Sequence, residues 1–253
     1  MRRFPNVTTW TGIFPDLTVT RDGWLSFSGA MKEFFQKFGG RDVTIAEPII
    51  TKLGNADFKA QIYSLMSSPS NGLWTNLFAN DGITFYQQAK QFELAKKFQI
   101  IIDASLDIDL PKTLKKDVPT NVWTSSYWHY GAYQDNALSK DLVRTYEKIS
   151  GNPNPSAYAG TAHTAVLGLA AAISAAGSTE TDKVIAALEG MKFESVRGPV
   201  YYRKEDHQLI SQQCLVQWAP SDQEPGWKTA STTIVEDAPI VNPPEPGKKW
   251  NFK

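Results

Sequence analysis

Asn154–Leu209 reads NPSAYAGTAHTAVLGLAAAISAAGSTETDKVIAALEGMKFESVRGPVYYRKEDHQL, and the order of elements within it decides the fold class. The small and apolar residues from Ala157 to Ala176 predict a buried helix, with Gly177 as its stop. Thr179-x-x-Asp182 is a capping signal for a second, short helix over Lys183–Glu189. Gly190 ends that helix, and Arg197-Gly198-Pro199 shapes the turn into a β-rich segment.

Towards the amino terminus, strands and helices alternate. Val7–Phe14 is rich in β-branched and aromatic residues and reads as a strand. Arg21–Phe38 sets Trp24, Phe27, Met31, Phe34, Phe35 and Phe38 at helical spacing, and Gly39-Gly40 stops it. Asp42–Ile50 reads as a second strand, and Phe58–Ser67 as a helix capped by Asn55. Gly72–Phe78 is a third strand, followed by a helix over Asp81–Lys96 with Phe85, Ala89 and Phe92 inward. Phe98–Asp103 and Asn121–Ser125 are further strands, and Asn136–Ser150 a further helix. Strands alternating with helices across short turns imply an α/β fold with a parallel sheet and right-handed crossovers. Continuous apolar runs fit strands covered on both faces.

Composition narrows the function. Lysine and arginine total 26, as do aspartate and glutamate, so no basic field draws nucleic acid or anionic membrane to the chain. No apolar run approaches the ~20 residues that span a bilayer, the longest candidate being Ala165–Ala176. The single cysteine, Cys214, excludes an intrachain disulfide, and its strand-like setting in Gln213–Trp218 predicts a packed thiol. His129, His163 and His207 lack metal spacing, and no P-loop, G-x-S-x-G or G-x-G-x-x-G occurs. Neither a metal nor a cofactor is expected.

The succession helix, Ala-Gly-Ser, short helix, Leu-x-Gly, Arg-Gly-Pro-Val in Asn154–Leu209 resembles the closing third of type I periplasmic solute-binding proteins. These are the branched-chain amino acid and amide receptors of ABC importers. The resemblance runs more loosely from about Phe4 to Trp218. It implies two Rossmann-like lobes with parallel sheets, the first incomplete. Residues 1–125 would be the second lobe and 126–212 the later part of the first. Residues 213–253 would be a crossover strand returning to the second lobe, then a poorly cored, extended tail from Pro220. The resemblance further implies a carrier rather than an enzyme. Hinge closure would hold a small amino acid, an amide, or an aromatic or apolar carboxylate between the lobes, for delivery to a permease from the periplasm. A sensory or regulatory module of the same fold is the alternative. An enzyme using Asp103 with a histidine finds no nucleophile-and-base spacing to support it. Met1–Thr8 carries no apolar signal core, and most of the first lobe would precede anything like Val7–Phe14. A chain without that part is expected to bind ligand weakly or not at all, and to expose apolar surface that drives association or disorder.

Ligands of open parallel α/β sheets bind beyond the carboxyl ends of the strands. That rule selects the loops Pro15–Val19, Phe78–Asp81 and Asp103–Asp107, the first two followed by helix amino termini suited to a carboxylate. The resemblance implies ligand contacts from Phe78, Asn80 and Asp81, and from Asp103 or Asp107 with Ser105 against a ligand amino group. Tyr158 falls where relatives place an aromatic ring on the ligand. The tyrosine and glycine expected after an aspartate like Asp16 are missing here. At least one of Trp123, Tyr127, Trp128, Tyr130 and Tyr133 is expected to line the cleft, Tyr127 and Trp128 foremost. Each has a structural alternative: Asp81 complements a helix dipole, Asp103 ends its strand, and Tyr158 and the aromatic cluster pack the interior.

Overall fold

The computed structural model describes residues 3–236 and 244. The chain divides into two compact units, one of residues 3–125 with Val216–Ser231, the other of Ser126–Leu215 with 232–236.

The first unit is built on a mostly parallel sheet. Its central strand β1 (Thr9–Pro15) is buried at six of seven positions. Around it lie α1 (Thr18–Gly39), β2 (Thr44–Ile45), β3 (Ile49–Thr51), α2 (Lys59–Ser67), β4 (Gly72–Thr75) and α3 (Ala79–Gln91). The short α4 (Leu94–Lys97), β5 (Ile100–Asp103), α5 (Asp109–Leu114) and β6 (Val122–Ser126) follow. β1 pairs in parallel with β2, β3 and β4, and the parallel ladder continues through β5 to β6. Beyond β6 come strands of Gln213–Pro220 and Trp227–Val235, the latter at the sheet edge. One face buries Phe14, Trp24 and Trp74 together, with Phe27 stacked on Trp74 at 5.8 Å. The other buries Phe58, Ile62, Leu65 and Phe85, none more than 0 % exposed.

Several elements depart from the sequence reading for local reasons. The strand expected over Asp42–Ile50 splits into β2 and β3 around Pro48, which has no N–H for the ladder. Asn55 does not cap α2. Its amide donates to the Asp57 carbonyl, while Gln88 accepts from the Phe58 N–H at 2.7 Å and Asp57 from that of Lys59. The helix expected over Asp81–Lys96 starts two residues earlier and breaks at Glu93, whose φ is +53°. Phe38 closes the predicted apolar stripe of α1 yet is 63 % exposed. The segment from Pro220 is better cored than expected, since Trp227 is buried edge-on against Trp218 at 5.4 Å. The remainder of the expected tail, including Pro243 and Glu245–Gly247, lies outside the described residues.

The second unit holds α6 (Ala137–Ser150), α7 (Ala157–Ala176), α8 (Thr181–Leu188), β7 (Lys192–Ser195), β8 (Gly198–Tyr202) and β9 (Leu209–Ile210). Its three strands β7, β8 and β9 pair antiparallel, in the segment read from sequence as β-rich. Asn136 caps α6, accepting from the Ser139 N–H at 2.9 Å while its own amide donates to the Ser195 carbonyl at 2.8 Å. The expected burial of α7 holds for one stripe alone: Ala157, Gly160, Thr164, Gly168 and Ala172. Val166 is 68 % and Leu169 49 % exposed. The helix spans 20 residues and is long and apolar enough to cross a membrane by length and composition, which corrects the shorter run read from sequence. Only 22 % of its most apolar window is buried within the described structure. Thr179 plays no capping part at α8. The Ser178 hydroxyl accepts from the Glu180 N–H at 3.1 Å, and the helix starts one residue later.

Candidate functional site

The carboxyl ends of β1, β3, β4 and β5 form one edge of the sheet in the first unit. Among the helices that start there, α1 after Leu17 and α3 after Phe78 have no side-chain cap among the described residues. Their first N–H groups therefore point outward without a side-chain acceptor, the arrangement that receives anions. Thr20 is turned away from capping, donating its hydroxyl to the carbonyls of Pro15 at 2.5 Å and Leu17 at 2.9 Å. Ala79, the first residue of α3, has φ of +44°, and Asp107 in the next loop has +43°. Backbone held in this region by residues with a Cβ concentrates where function constrains a loop.

Two buried polar atoms at the same edge have no partner among the described residues: Thr51 Oγ1 at the end of β3 and Asn76 Oδ1 just after β4. Thr51 is 5 % and Asn76 8 % exposed. Both flank β1, since Thr51 pairs with Pro15 and the Asn76 N–H donates to the Ile13 carbonyl. With strands ~4.8 Å apart they stand roughly 10 Å from one another. An unsatisfied buried acceptor costs about 1–3 kcal/mol, so a ligand that supplies a donor there recovers it.

Asp103 has a different character. It is 0 % exposed. Its Oδ2 accepts from the Thr75 hydroxyl at 2.9 Å and the Tyr86 hydroxyl at 3.0 Å. Its Oδ1 accepts from the N–H groups of Ser105 at 2.9 Å and Leu106 at 2.8 Å. Burial raises its pKa above the ordinary value against the pull of these bonds, and Tyr86 is pushed well above its own. The carboxylate thus pins the loop after β5 from beneath, with both oxygens engaged. Ser105 completes the fastening, its hydroxyl donating to the Leu77 carbonyl at 2.8 Å, so the loops carrying Phe78 and Ser105 are brought together.

Of the remaining predicted contacts, Phe78 is half-buried and Asn80 exposed at the start of α3. Asp81 is buried and accepts from the Gly54 N–H at 2.8 Å, holding the turn before α2. In the second unit Tyr127 and Tyr158 face solvent at 54 % and 67 % exposure. Trp128 does not: it is 0 % exposed and donates from Nε1 to the Ser139 hydroxyl at 3.1 Å. A Cβ on Gly160 would come within 2.5 Å of its ring, so only glycine lets α7 approach so closely. His129 is buried, and desolvation lowers its pKa to about 4. Arg197, read as a turn residue, is also buried, donating to the Tyr127 carbonyl at 3.3 Å. Cys214 is a buried thiol, as its setting predicted, and its Sγ donates to the Leu215 carbonyl at 3.8 Å.

Sequence reading missed Thr51, Thr75, Asn76 and Tyr86. The signal was present for two of them, since Thr75-Asn76 is the first polar pair after the apolar run of β4. For Thr51 and Tyr86 only the fold reveals the partner.

A mostly parallel sheet with helix amino termini at one edge is the arrangement in which open α/β proteins take ligands at their strand ends. Comparison with known proteins makes this specific: a family described as periplasmic binding protein matches residues 6–224, and the chain belongs to that family. The chain is similar to an amino acid ABC transporter substrate-binding protein from Pseudomonas fluorescens Pf-5, with TM-score 0.76 and 20 % identity over 92 % of this chain and 61 % of that one. It is similar also to an ABC-transporter solute-binding protein from Rhodopseudomonas palustris BisB5 in complex with 3,4-dihydroxybenzoic acid. There the TM-score is 0.69 and the identity 20 %, over 93 % of this chain and 63 % of that one. A third, from R. palustris in complex with benzoate, gives 0.70 and 13 % over 93 % and 62 %. The chain spans about three-fifths of the length of these relatives. No curated protein sequence matches it.

Proposed function

We propose that this chain belongs to the solute-binding component of an ABC importer, working in the periplasm and passing a small carboxylate to a permease. The observation that carries the reading is the pairing, at one sheet edge, of uncapped amino termini of α1 and α3 with the unpartnered acceptors of Thr51 and Asn76. Helix N–H groups take the carboxylate. The acceptors take a donor on the same ligand, such as an ammonium or a ring hydroxyl. An amino acid or a hydroxylated aromatic acid offers both, which agrees with what the relatives bind by their descriptions.

Phe78 and Asn80 supply side-chain contacts at this edge, while Asp81, Asp103 and Ser105 hold the loops that carry them. Tyr127 and Tyr158 are rings open to a ligand on the second unit, and Trp128 packs against Gly160 of α7. Titration of the 15N-labelled chain with leucine, benzoate and 3,4-dihydroxybenzoate tests this. Saturable shifts are expected at the amides of Thr18, Val19, Ala79 and Asn80. Asn76→Ala should weaken the ligands that carry a donor by about fivefold, the worth of one hydrogen bond, and spare benzoate. If no compound moves those amides, the reading fails.

A further inference from the structure

Within the second unit, the segment before α6 meets the turn between β7 and β8, where the Asn136 amide donates to the Ser195 carbonyl at 2.8 Å. The Ser195 hydroxyl donates to the Gly198 carbonyl at 2.9 Å and accepts from the Arg197 N–H at 3.1 Å. These bonds fix the backbone at Arg197, a residue only 5 % exposed. Its Nη1 donates to the Tyr127 carbonyl at 3.3 Å, while its Nε is buried with no acceptor among the described residues. The Tyr133 hydroxyl is likewise buried with no partner among them, on a residue 7 % exposed.

Charge makes the vacancy at Nε consequential. A guanidinium stays protonated inside proteins, and a buried charge is ordinarily paired. Arg203, also buried, obeys this rule, its Nε donating to Asp206 at 2.8 Å. Arg197 has no such acid among the described residues: Glu236, whose charge reaches Tyr133, accepts instead from the Gln212 amide at 2.9 Å. Burial lowers the Arg197 pKa, and the neighbouring Tyr133, Tyr202 and Tyr127 oppose that fall. Burial also raises the pKa of Tyr133, so its phenol keeps its proton and stands near Arg197 as a donor, not a counter-charge.

We infer that the free edge of the Arg197 guanidinium and the Tyr133 hydroxyl form an anion site in the second unit, taking a planar carboxylate of formate or acetate size. Such an edge grips a carboxylate through parallel N–H bonds, and the phenol adds a further donor. The depth of both side chains sets the size limit. The inference is independent of the helix-terminus site proposed for the first unit.

Titration of the 15N-labelled full chain with sodium acetate, sodium chloride and acetamide, followed by NMR, tests it. Acetate should give saturable shifts at the Arg197 Nε–H and at the Tyr127 and Gly198 amides, with Kd about 10 mM or tighter. Chloride should bind about fivefold more weakly, and acetamide, which carries no charge, should not saturate. Tyr133→Phe removes only an unpartnered hydroxyl, so the fold should stand while acetate weakens about fivefold. Arg197→Gln should abolish the shifts at Tyr127 and Gly198; if that variant loses its amide dispersion, Tyr133→Phe alone decides. Absence of a saturable acetate shift at the Arg197 Nε–H, or unchanged acetate affinity in Tyr133→Phe, would overturn the site. So would acetate shifts confined to the amides of Thr18, Val19, Ala79 and Asn80, which report the first unit. Chloride or acetamide binding as tightly as acetate would overturn the assignment to a carboxylate.

Discussion

Removing the Asp103 carboxylate should be among the most damaging single changes in the first unit. In Asp103→Ala the Thr75 and Tyr86 hydroxyls retain each other at 3.3 Å, but the N–H groups of Ser105 and Leu106 lose their acceptor inside the protein. Each orphaned buried donor costs about 1–3 kcal/mol, and bonds to a charged group lie at the upper end. The variant should therefore lose about 3–5 kcal/mol, lowering Tm by roughly 6–20 °C at about 2–4 °C per kcal/mol. Asp103→Asn discriminates geometry from charge. Its Oδ1 still serves the two N–H groups, and its Nδ2 donates to hydroxyls that reverse their roles, so the cost should be within about 1 kcal/mol. The pH dependence separates them further. Because burial raises the folded pKa above the ordinary 3.8, the carboxyl binds its proton more tightly folded than unfolded. Its contribution is complete below 3.8 and is lost as pH rises through the folded value. Wild type should thus gain on Asp103→Asn as pH falls through that window. Urea unfolding followed by tryptophan fluorescence measures all three proteins. An Asp103→Ala loss below about 1 kcal/mol would refute the view of this carboxylate as the loop's anchor.

Other perturbations give distinct outcomes. Gly160→Ala should destabilise the second unit by about 1–3 kcal/mol, since the new methyl meets the Trp128 ring, and thermal unfolding reads this directly. Ser139→Ala removes the acceptor of Trp128 Nε1 and should cost about 1 kcal/mol in the same assay. His129 has a folded pKa of about 4 against an ordinary 6.5, so its contribution is present above 6.5 and lost as pH falls towards 4. Replacement by Gln should flatten that part of the stability profile, by an amount on the order of 3 kcal/mol. Lys90→Ala should change stability by less than about 0.5 kcal/mol, because its pair with Asp117 is solvent-exposed, and chemical denaturation at two salt concentrations checks it.

What the sequence disclosed, and what it withheld, follows the range of the interactions concerned. Strand β1 and helix α1 were readable because β-branched and aromatic density, and 3.6-residue spacing from Trp24 to Phe35, are local patterns. The split at Pro48 and the break at Glu93 were not. The first depends on which part of β1 each half meets, the second on an αL residue with no glycine to announce it. Burial was the least legible property. Ala157–Ala176 is apolar all round, yet one stripe alone packs within the described structure. The strand-end rule picked out the segments that follow β1, β4 and β5, although Phe78–Asp81 is mostly the first turn of α3 and not a loop. Which side chains within them face a ligand was beyond it: Asp103, Asp81 and Trp128 turn inward to partners distant in sequence, whereas the unpartnered Thr51 and Asn76 attract no notice in the chain itself.

The Tyr86 hydroxyl on Asp103 has an evolutionary consequence. A phenylalanine at 86 leaves one acceptor lobe of the carboxylate idle in a dry interior, and an apolar residue at 103 leaves the phenol only the longer contact with Thr75 at 3.3 Å. Neither position can drift by itself without penalty. In a deep mutational library, tolerated substitutions at 75, 86 and 103 should arrive as matched sets, a covariance that links a helix to two strands separated by 28 residues in the chain.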